Sequence, residues 1–229
     1  MSKVSAKVKS APGPAPEPLS VEAVSRKPQQ GRSKASLERM LKAARALMVE
    51  RGSEDFTLIE VSKRGSVSIG SIYLRFQSKD NLVRAVIAEA MEDVGTAEDR
   101  MLAALAARCT SLAEFVPAYV HSYAEVLTDN AAILRLAMTR AENDPLVAEP
   151  GRKSALRITH LTVRAMLRYA DEFGGEDREL RASTAYYIIF ATLARQLALG
   201  SSRESVTDYD WEEVKRELGR ACLAYLTMK

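Results

Sequence analysis

Histidine, cysteine and long apolar segments are scarce in this sequence of 229 residues, and each scarcity argues against a class of function. Its two cysteines, Cys109 and Cys222, both lie in apolar helical patterns, which favours buried free thiols in a reducing compartment over a disulfide. Two histidines leave little room for a histidine-based triad or metal site. The sequence also lacks a P-loop, a dinucleotide fingerprint and a Cys-x-x-Cys pair. We therefore expect no enzyme, no metal and no cofactor.

Apolar runs long enough for a membrane are also missing. The longest run, residues 185–191, is far too short to span a bilayer, and the first residues lack the apolar core of a signal peptide. Hydrophobic residues make up 47% and charged residues 28% of the chain, an ordinary balance for a globular protein. We expect a cytoplasmic protein with no membrane partner.

The formal net charge of +3 is unevenly distributed. Residues 1–94 contain 16 Lys and Arg against 11 Asp and Glu, a net +5, whereas residues 95–229 contain 17 against 19, a net −2. A basic first part beside a nearly neutral remainder favours a polyanion partner for the first part only. Chance scatter of surface charge also fits a difference this small.

Proline is concentrated at the start of the chain. Five of the eight prolines lie within residues 1–31, which contain few large apolar side chains, so we predict a disordered tail there. The alternative is a basic arm that follows a DNA backbone or minor groove, because Arg26, Lys27, Arg32 and Lys34 lead into the first helix.

The segment Phe56–Leu82 has the densest pattern of helix caps and turn residues. Thr57 followed by Glu60 at the third helical position predicts a capping box. Gly65 and Ser66 end this helix after about two turns. A helix this short is not stable by propensity alone and needs neighbours to pack on.

A second short helix follows immediately. Val67 is placed to fill the corner, Ser68 to cap the second helix, and Ile72 and Phe76 to face inward four residues apart. Ser78 caps the next helix. Two short helices joined by a tight turn, with the second presenting a polar end, are typical of a DNA-binding helix-turn-helix.

The remaining signals are all helical. One helix from about Ser33 to Arg51 precedes the helix-turn-helix, and another from Lys79 to about Val94 follows it and ends before Gly95. Further predicted helices are Ala97–Arg108, Leu112–Thr128, Ala131–Glu142, Gly151–Phe173, Asp177–Leu199 and Tyr209–Met228. No alternating strand pattern is present. We predict an all-α fold with a helix-turn-helix domain at residues 32–94 and a helical domain at 95–229.

Residues 33–94 resemble the TetR family of bacterial transcriptional regulators. The matching positions are Glu50-Arg51-Gly52, Thr57, Glu60-Val61-Ser62, Val67-Ser68, Gly70-Ser71-Ile72-Tyr73, Phe76, Ser78-Lys79-Asp80 and Leu82. The resemblance implies an N-terminal three-helix DNA-binding domain and a C-terminal helical domain for ligand binding and dimerisation. It also implies a ligand-responsive regulator, usually a repressor that a small molecule releases from a pseudo-palindromic operator on double-stranded DNA.

The resemblance further implies which side chains meet DNA. Hydroxyl, phenol and ammonium groups are good phosphate donors, and Gly70 allows a close backbone approach. Thr57, Ser71, Tyr73 and Lys79 match positions that usually contact phosphates, and Ser68 and Ile69 are best placed to meet base edges. With the basic residues added, the expected DNA-binding residues are Lys34, Thr57, Ser68, Ile69, Gly70, Ser71, Tyr73, Arg75 and Lys79. Three of them have a structural alternative: Tyr73 as a core tyrosine, Lys79 as a solvated lysine and Ile69 as a tertiary contact.

The sequence departs from the family pattern at three places. Gly65-Ser66 stands where Ala-Gly is usual, so Ser66 must adopt a left-handed conformation or the turn must rearrange. Ile69 stands where lysine or arginine is common, and it can pack on a thymine methyl but cannot bind guanine. Leu74-Arg75 stands where polar or histidine residues are usual. A helical ligand-binding or scaffold protein that has lost specific DNA binding is therefore the alternative function.

Aromatic and methionine residues in the second half are candidates for a ligand pocket, although helical spacing of such residues more often marks a plain core. Tyrosines buried on one helix face need partners for their hydroxyls, which a pocket can supply. The predicted pocket residues are Phe115, Tyr119, Tyr123, Met138, Met166 and Tyr187.

The last two predicted helices, residues 177–199 and 209–228, have the composition of an association surface. The first interleaves small residues with larger apolar ones. The second carries an apolar stripe of Trp211, Val214, Leu218, Cys222 and Tyr225. We expect two such helices from each of two subunits to form a four-helix bundle in a homodimer. Burial within one subunit is the alternative.

Overall fold

The computed structural model of the chain describes Ser20, residues 31–199 and residues 210–229. The predicted tail at residues 1–31 lies outside these ranges except for Ser20 and Gly31. The described residues form eight α-helices and one 3₁₀ segment, without a strand, which confirms the all-α fold. The helices are α1 (Gly31–Arg51), α2 (Leu58–Gly65), α3 (Ile69–Arg75), α4 (Lys79–Arg108), α5 (Leu112–Ala141), α6 (Pro145–Met166), α7 (Arg178–Gln196) and α8 (Trp211–Thr227).

The helices bury two hydrophobic cores that share helix α4. The first core joins α1, α2, α3 and the start of α4, with smaller contributions from Ile133 and Ala137 of α5 and Val147 of α6. The second core joins the rest of α4 to α5, α6, α7 and α8. Because α4 contributes to both cores, it ties the helix-turn-helix to the helical body.

Helix α4 is longer than predicted, because it continues through Gly95 to Arg108. A glycine inside a helix lowers stability by roughly 1 kcal/mol relative to alanine. The burial of the helical residues on both sides of Gly95 outweighs this cost here. Val94 and Glu98 are buried on either side of it, and the Arg157 guanidinium on α6 donates to the Gly95 carbonyl. A β-carbon at position 95 would lie 3.2 Å from that guanidinium. The predicted break at Gly95 is therefore wrong.

Helix α5 is also continuous, so the predicted break at Asp129-Asn130 is wrong. The Asn130 side chain donates to the Val126 carbonyl within the helix instead of capping a new one. Near its start, Pro117 packs against Gly219 of α8, where an added β-carbon would lie 3.1 Å from the Pro117 Cα. The glycine allows these two helices to approach closely.

Helix α6 begins at Pro145 rather than at Gly151. Asp144 caps it, and a proline at the first helical position lacks an N–H that would be unpaired there anyway. The predicted single helix to Phe173 is instead α6 followed by a 3₁₀ segment, Leu167–Glu172. Tyr169 has non-helical dihedrals at this junction, and its hydroxyl donates to the Cys109 carbonyl.

Helices α7 and α8 match their predicted ranges closely, with Asp177 and Asp210 as their N-caps. The Gly174 N–H donates to the Leu226 carbonyl at 2.9 Å, and the Arg181 guanidinium donates to the Tyr225 carbonyl at 3.0 Å. These two donors satisfy carbonyls in the last turn of α8. Within the described ranges, none of the helices combines the length and apolarity that crossing a membrane requires.

Candidate nucleic-acid interface and ligand pocket

In the turn between α2 and α3, Gly65-Ser66 stands where the family pattern has Ala-Gly, and Ser66 takes the left-handed position. Ser66 adopts the left-handed conformation with φ 49° and ψ 48°, and its N–H donates to the Lys63 carbonyl. A β-carbon at Gly65 would lie 3.0 Å from the Arg39 carbonyl oxygen of α1. Gly65 is therefore used for close helix packing, and Ser66 accepts the unfavourable φ.

Helix α2 begins with the predicted capping box. The Thr57 hydroxyl accepts from the Glu60 N–H, and the Glu60 carboxylate accepts from the Thr57 N–H at 2.7 Å. The Arg51 guanidinium also binds this carboxylate, and together with the Thr57 donors it lowers the pKa of Glu60 to about 2. The Thr57 hydroxyl itself donates to Glu60 at 2.9 Å. Thr57 must exchange this bond in order to contact a phosphate.

Helix α3 exposes most of the residues predicted to face DNA. Tyr73 is 58% exposed and Ile69 is 37% exposed, whereas Ile72 and Phe76 are fully buried on the opposite side. Tyr73 is therefore not a core tyrosine. Lys34, Thr57, Ser68 and Gly70 are also exposed, and Ser71 is half-buried.

Lys79 and Arg75 occupy less open positions. Lys79 is the first residue of α4, and its side chain is half-buried. Its ammonium forms a cation–π contact with Phe56, 4.8 Å from the centre of the ring. Arg75 is only 8% exposed, and burial lowers the pKa of its guanidinium. Arg75 therefore lies on the inner side of α3, and its predicted contact with DNA does not fit this placement. The neighbouring residue Leu74 lies on the outer face of α3 and is 70% exposed.

A pocket of about 380 Å³ opens in the body between α4, α5, α6 and α7. Its walls are mostly apolar and also include Glu98, Arg152 and Ser154. The larger apolar or aromatic side chains are Ile87, Met91, Val94, Tyr123, Leu127, Leu134, Met138, Val147, Ile158, Tyr186, Phe190 and Leu199. A concave, mostly apolar site of this size is typical of small-molecule binding.

One carboxyl group interrupts the apolar wall. Glu98 of α4 is 4% exposed and accepts from the Arg157 guanidinium at 2.8 Å. Burial raises the pKa of Glu98 to about 7, against the opposing charge of Arg157. The rings of Tyr123 and Tyr186 lie beside one another at the same end, with centroids 6.4 Å apart. The pocket therefore has one polar end.

Only two of the six predicted pocket residues, Tyr123 and Met138, line this pocket. Phe115, Tyr119 and Met166 are fully buried in the core of the body, so the plain-core alternative is correct for them. The Tyr119 hydroxyl finds its partner in Thr162, at 3.0 Å.

Tyr187 lies outside the pocket altogether and is 58% exposed on the outer face of α7, so its predicted place in the pocket is wrong. The sequence pattern predicts Tyr187, whereas the adjacent Tyr186 on the inner face of α7 lines the pocket. The sequence-based prediction also missed Glu98, although a glutamate one turn beyond Val94 on an apolar face was an available signal.

Ion pairs join the pocket helices to the helix-turn-helix. The Arg140 guanidinium of α5 contacts Glu54 at 2.7 Å, Asp80 at 2.9 Å and Asp144 at 2.8 Å. Asp144, the cap of α6, is buried and also accepts from Arg84 of α4 at 2.7 Å. Glu54, Arg84, Arg140 and Asp144 line a cleft of about 560 Å³ between the two parts of the molecule.

The outer faces of α7 and α8 differ from the predicted association surface. Leu218 and Cys222 of the predicted stripe on α8 pack into the chain's own core. Helix α7 instead exposes a second apolar stripe, formed by Leu180, Tyr187 and Ile188. A homodimer through these helices would therefore use this outer stripe and not the stripe with Leu218.

His121, Glu125 and Glu212 bring their ligand atoms within 4.8 Å of one another on the surface of the body. The Lys215 ammonium lies at the same place, 2.8 Å from Glu125 and 2.6 Å from Glu212. A lysine that pairs with both carboxylates supplies the positive charge that a metal ion would bring, so the cluster is explained as an ion-pair network.

Comparisons with known proteins agree with the helix-turn-helix geometry. Residues 40–86 match the family model of the bacterial regulatory proteins of the tetR family. No curated protein matches the chain. A TetR-family regulator from Mesorhizobium loti MAFF303099 has a similar structure, with a TM-score of 0.68 and 18% identity, over 86% of this chain and 98% of that chain.

Two further solved structures are similar over most of their length. A transcriptional regulator from Rhodococcus sp. Rha1 has a TM-score of 0.61 at 18% identity, over 83% of this chain and 95% of that chain. A transcriptional regulator from Saccharomonospora viridis, solved in complex with choline, has a TM-score of 0.62 at 17% identity, over 82% and 95%. The match to the tetR family model is therefore confined to residues 40–86, and the chain as a whole has the fold of these solved structures.

Proposed function

We propose that the chain is a ligand-responsive, DNA-binding transcriptional regulator that acts in the cytoplasm as a homodimer, and that it represses until a small molecule releases it. The observation that carries the proposal is the helix-turn-helix at residues 58–75, whose outward helix α3 exposes Ile69, Tyr73 and Leu74. In a two-fold dimer, two such helices enter successive major grooves about 34 Å apart.

Phosphate contacts would hold the dimer on DNA. Lys79 is the first residue of the long helix α4, where its ammonium and the free N–H groups of the helix both favour an anion. Tyr73 presents an exposed phenol, Ser71 a hydroxyl, and Thr57 a hydroxyl at the start of α2. Lys34 on the exposed start of α1 adds positive charge.

The test is DNA affinity at two salt concentrations. Lys79→Ala should weaken binding and reduce the slope of log affinity against log salt by about 0.9 per subunit, because one phosphate contact is lost. Tyr73→Phe should weaken binding with little change in slope, because a neutral hydrogen bond is lost. Lys153→Ala, an exposed lysine paired with Glu149 on α6, is the matched control. Unchanged affinity and slope in both Tyr73→Phe and Lys79→Ala would contradict these contacts.

The pocket in the body would receive the effector. Its apolar walls with one buried carboxyl favour a compact, largely apolar molecule, and the Saccharomonospora viridis protein in complex with choline is a precedent for small-molecule binding in this fold. The uncharged dye Nile red is a suitable probe. It should bind with a fluorescence increase that Ala148→Trp, at the pocket wall, removes and that Leu156→Trp, on the outside of α6, does not.

Release of the protein from DNA requires only that the ligand bind one of two conformations of the protein more tightly than the other. Ligand against α6 would displace Val147 and the capping residue Asp144, which the Arg84 and Arg140 ion pairs connect to the helix-turn-helix. A shift of Asp144 therefore changes the position of α3 relative to its symmetry mate.

A scaffold or ligand-binding protein without specific DNA binding is the second candidate. The apolar outer face of α3 and the burial of Arg75 favour it, since both remove polar groups that read bases. Binding of the full chain to duplex DNA from upstream of its own coding sequence separates the two functions: selective binding supports the regulator, and its absence supports the scaffold.

A further inference from the structure

The outward surface of helix α3 carries two apolar side chains, Ile69 and Leu74, beside the exposed phenol of Tyr73. Leu74 is 70% exposed and Ile69 is 37% exposed. Residues four apart lie on one helix face, so Ile69 shares a row with Tyr73, and Leu74 shares the neighbouring row with Gly70. Because Gly70 has no side chain, Leu74 protrudes from its row without an equal neighbour.

Apart from the exposed Tyr73 phenol, the polar side chains at α3 bond one another or are buried. The Ser68 and Ser71 hydroxyls lie 2.7 Å apart, and the Ser68 hydroxyl also accepts from the Ser71 N–H. Arg75 is buried on the inner side. Helix α3 therefore presents no exposed guanidinium, ammonium or amide, the groups that make bidentate contacts with guanine or adenine.

We propose that Ile69 and Leu74 read the operator through thymine methyl groups, so that each half-site carries thymine at the positions these two side chains face. This inference rests on the proposed DNA-binding function and names the feature of DNA that the protein recognises. The C5-methyl of thymine is the one apolar group on a base edge in the major groove, and it matches apolar side chains. Lys79 and Thr57 at neighbouring helix starts favour DNA as the occupant of this face, since they suit a polyanion and not an apolar protein surface.

The size of the effect follows from the surface of one methyl group. Removing a single buried methyl from a contact weakens binding roughly fourfold. In a two-fold dimer each contact occurs twice, so removal of a symmetric pair of methyls weakens binding about 15-fold when the two sites act independently.

The experiment replaces thymine by deoxyuridine, which lacks only the methyl group. The full chain first selects its preferred duplex from a random pool, and each thymine pair is then replaced in turn while affinity is measured by fluorescence anisotropy. One or two thymine pairs per operator should show the loss of about 15-fold. Leu74→Ala and Ile69→Ala should each abolish the sensitivity at one position, and thermal melting should show that both variants remain folded. Leu156→Ala, an exposed leucine on α6, should leave every sensitivity unchanged.

Two outcomes overturn the inference in distinguishable ways. Tight, sequence-selective binding that tolerates deoxyuridine at every position refutes the methyl readout and leaves the proposed function intact. Absence of selective binding to any duplex in the pool contradicts the proposed function itself, and the inference with it.

Discussion

Arg140 of α5 and Glu54 of the segment before α2 form an ion pair of 2.7 Å across the junction between the helical body and the helix-turn-helix. The same guanidinium contacts Asp144, the buried cap of the pocket helix α6. One side chain thus connects a pocket helix to the DNA-binding end of the molecule. A shift of α6 would change the partners available to Arg140, and we propose this as the physical basis for the coupling between ligand and DNA.

Replacement of Arg140 should loosen this junction. We expect Arg140→Met to lower the free energy of unfolding by about 2–3 kcal/mol, because charge-assisted bonds are lost at a largely buried site. Hydrogen exchange in α1, α2 and α3 should accelerate. Arg152→Met is the control, since Arg152 is an exposed partner of Glu149 and should change stability by less than about 0.5 kcal/mol. Equal effects of the two substitutions would show that Arg140 has no special role at the junction.

The cap residue Asp144 gives this junction an acid-sensitive component. Burial raises the pKa of Asp144, but the bonds and charges of Arg84 and Arg140 outweigh burial, so that the pKa lies below its ordinary value of 3.8. A carboxyl group whose pKa is lowered on folding stabilises the protein at pH values above its pKa in the unfolded chain. This stabilisation is lost as the pH falls through its pKa in the folded protein. Asp144→Asn should therefore be less stable than the wild type at pH 7, and the difference should shrink below about pH 4.

Glu98 should produce the opposite pH dependence. Burial raises its pKa from 4.5 to about 7, so the folded state holds a proton that the unfolded state has released between these values. The contribution of Glu98 to stability is therefore fully present below pH 4.5. It is lost as pH rises towards 7, which lowers the free energy of unfolding by up to about 3 kcal/mol. Glu98→Gln should remove this decline. Urea titrations of both proteins at pH 5 and pH 8 measure it, and parallel behaviour of the two proteins would contradict the raised pKa.

The turn between α2 and α3 offers a stability test that involves no ligand. Ser66→Gly should stabilise the fold by roughly 0.5–1 kcal/mol, because glycine adopts positive φ without a steric penalty. Gly65→Ala should destabilise it by about 1–2 kcal/mol, because its β-carbon meets the Arg39 carbonyl. The double variant has the Ala-Gly order usual in the TetR family, and its stability should lie between the stabilities of the two single variants. A stable Gly65→Ala protein would indicate that α1 and α2 can separate.

The outer stripe of α7 predicts the oligomeric state. Sedimentation velocity should give a species of twice the 25.2 kDa chain mass, and Tyr187→Arg should convert it to monomer by placing a charge in an apolar contact. Leu156→Arg, on an exposed part of α6, should remain dimeric. A wild-type monomer, or a dimer that tolerates Tyr187→Arg, would exclude this surface.

The sequence predicted best where structure is local. The caps at Thr57, Ser68 and Ser78 and the inward positions Ile72 and Phe76 are set by neighbours within four residues, and the structure confirms all of them. The predicted breaks at Gly95 and Asp129-Asn130 were wrong because packing against other helices outweighs local propensity. These contacts are invisible in a single sequence.

The ligand pocket was predictable only in part for the same reason. Phe115, Tyr119 and Tyr123 share one face of α5, yet only Tyr123 lines the pocket. Tyr169 of the 3₁₀ segment packs on the Phe115 ring, and Thr162 of α6 bonds the Tyr119 hydroxyl. The choice between Tyr186 and Tyr187 depends on the rotation of α7 about its axis. That rotation is set by its packing on α8 and α6.

We propose that helix α3 reads a DNA sequence, and the most direct test is the ratio of affinities for a selected duplex and a scrambled duplex of equal length at physiological salt. We expect the full chain to bind the selected duplex at least about 10³-fold more tightly, with two chains per duplex. We also expect Leu74→Ala to reduce this ratio, whereas Lys79→Ala should weaken binding to both duplexes alike. Equal affinity of the wild type for the two duplexes would contradict the proposal.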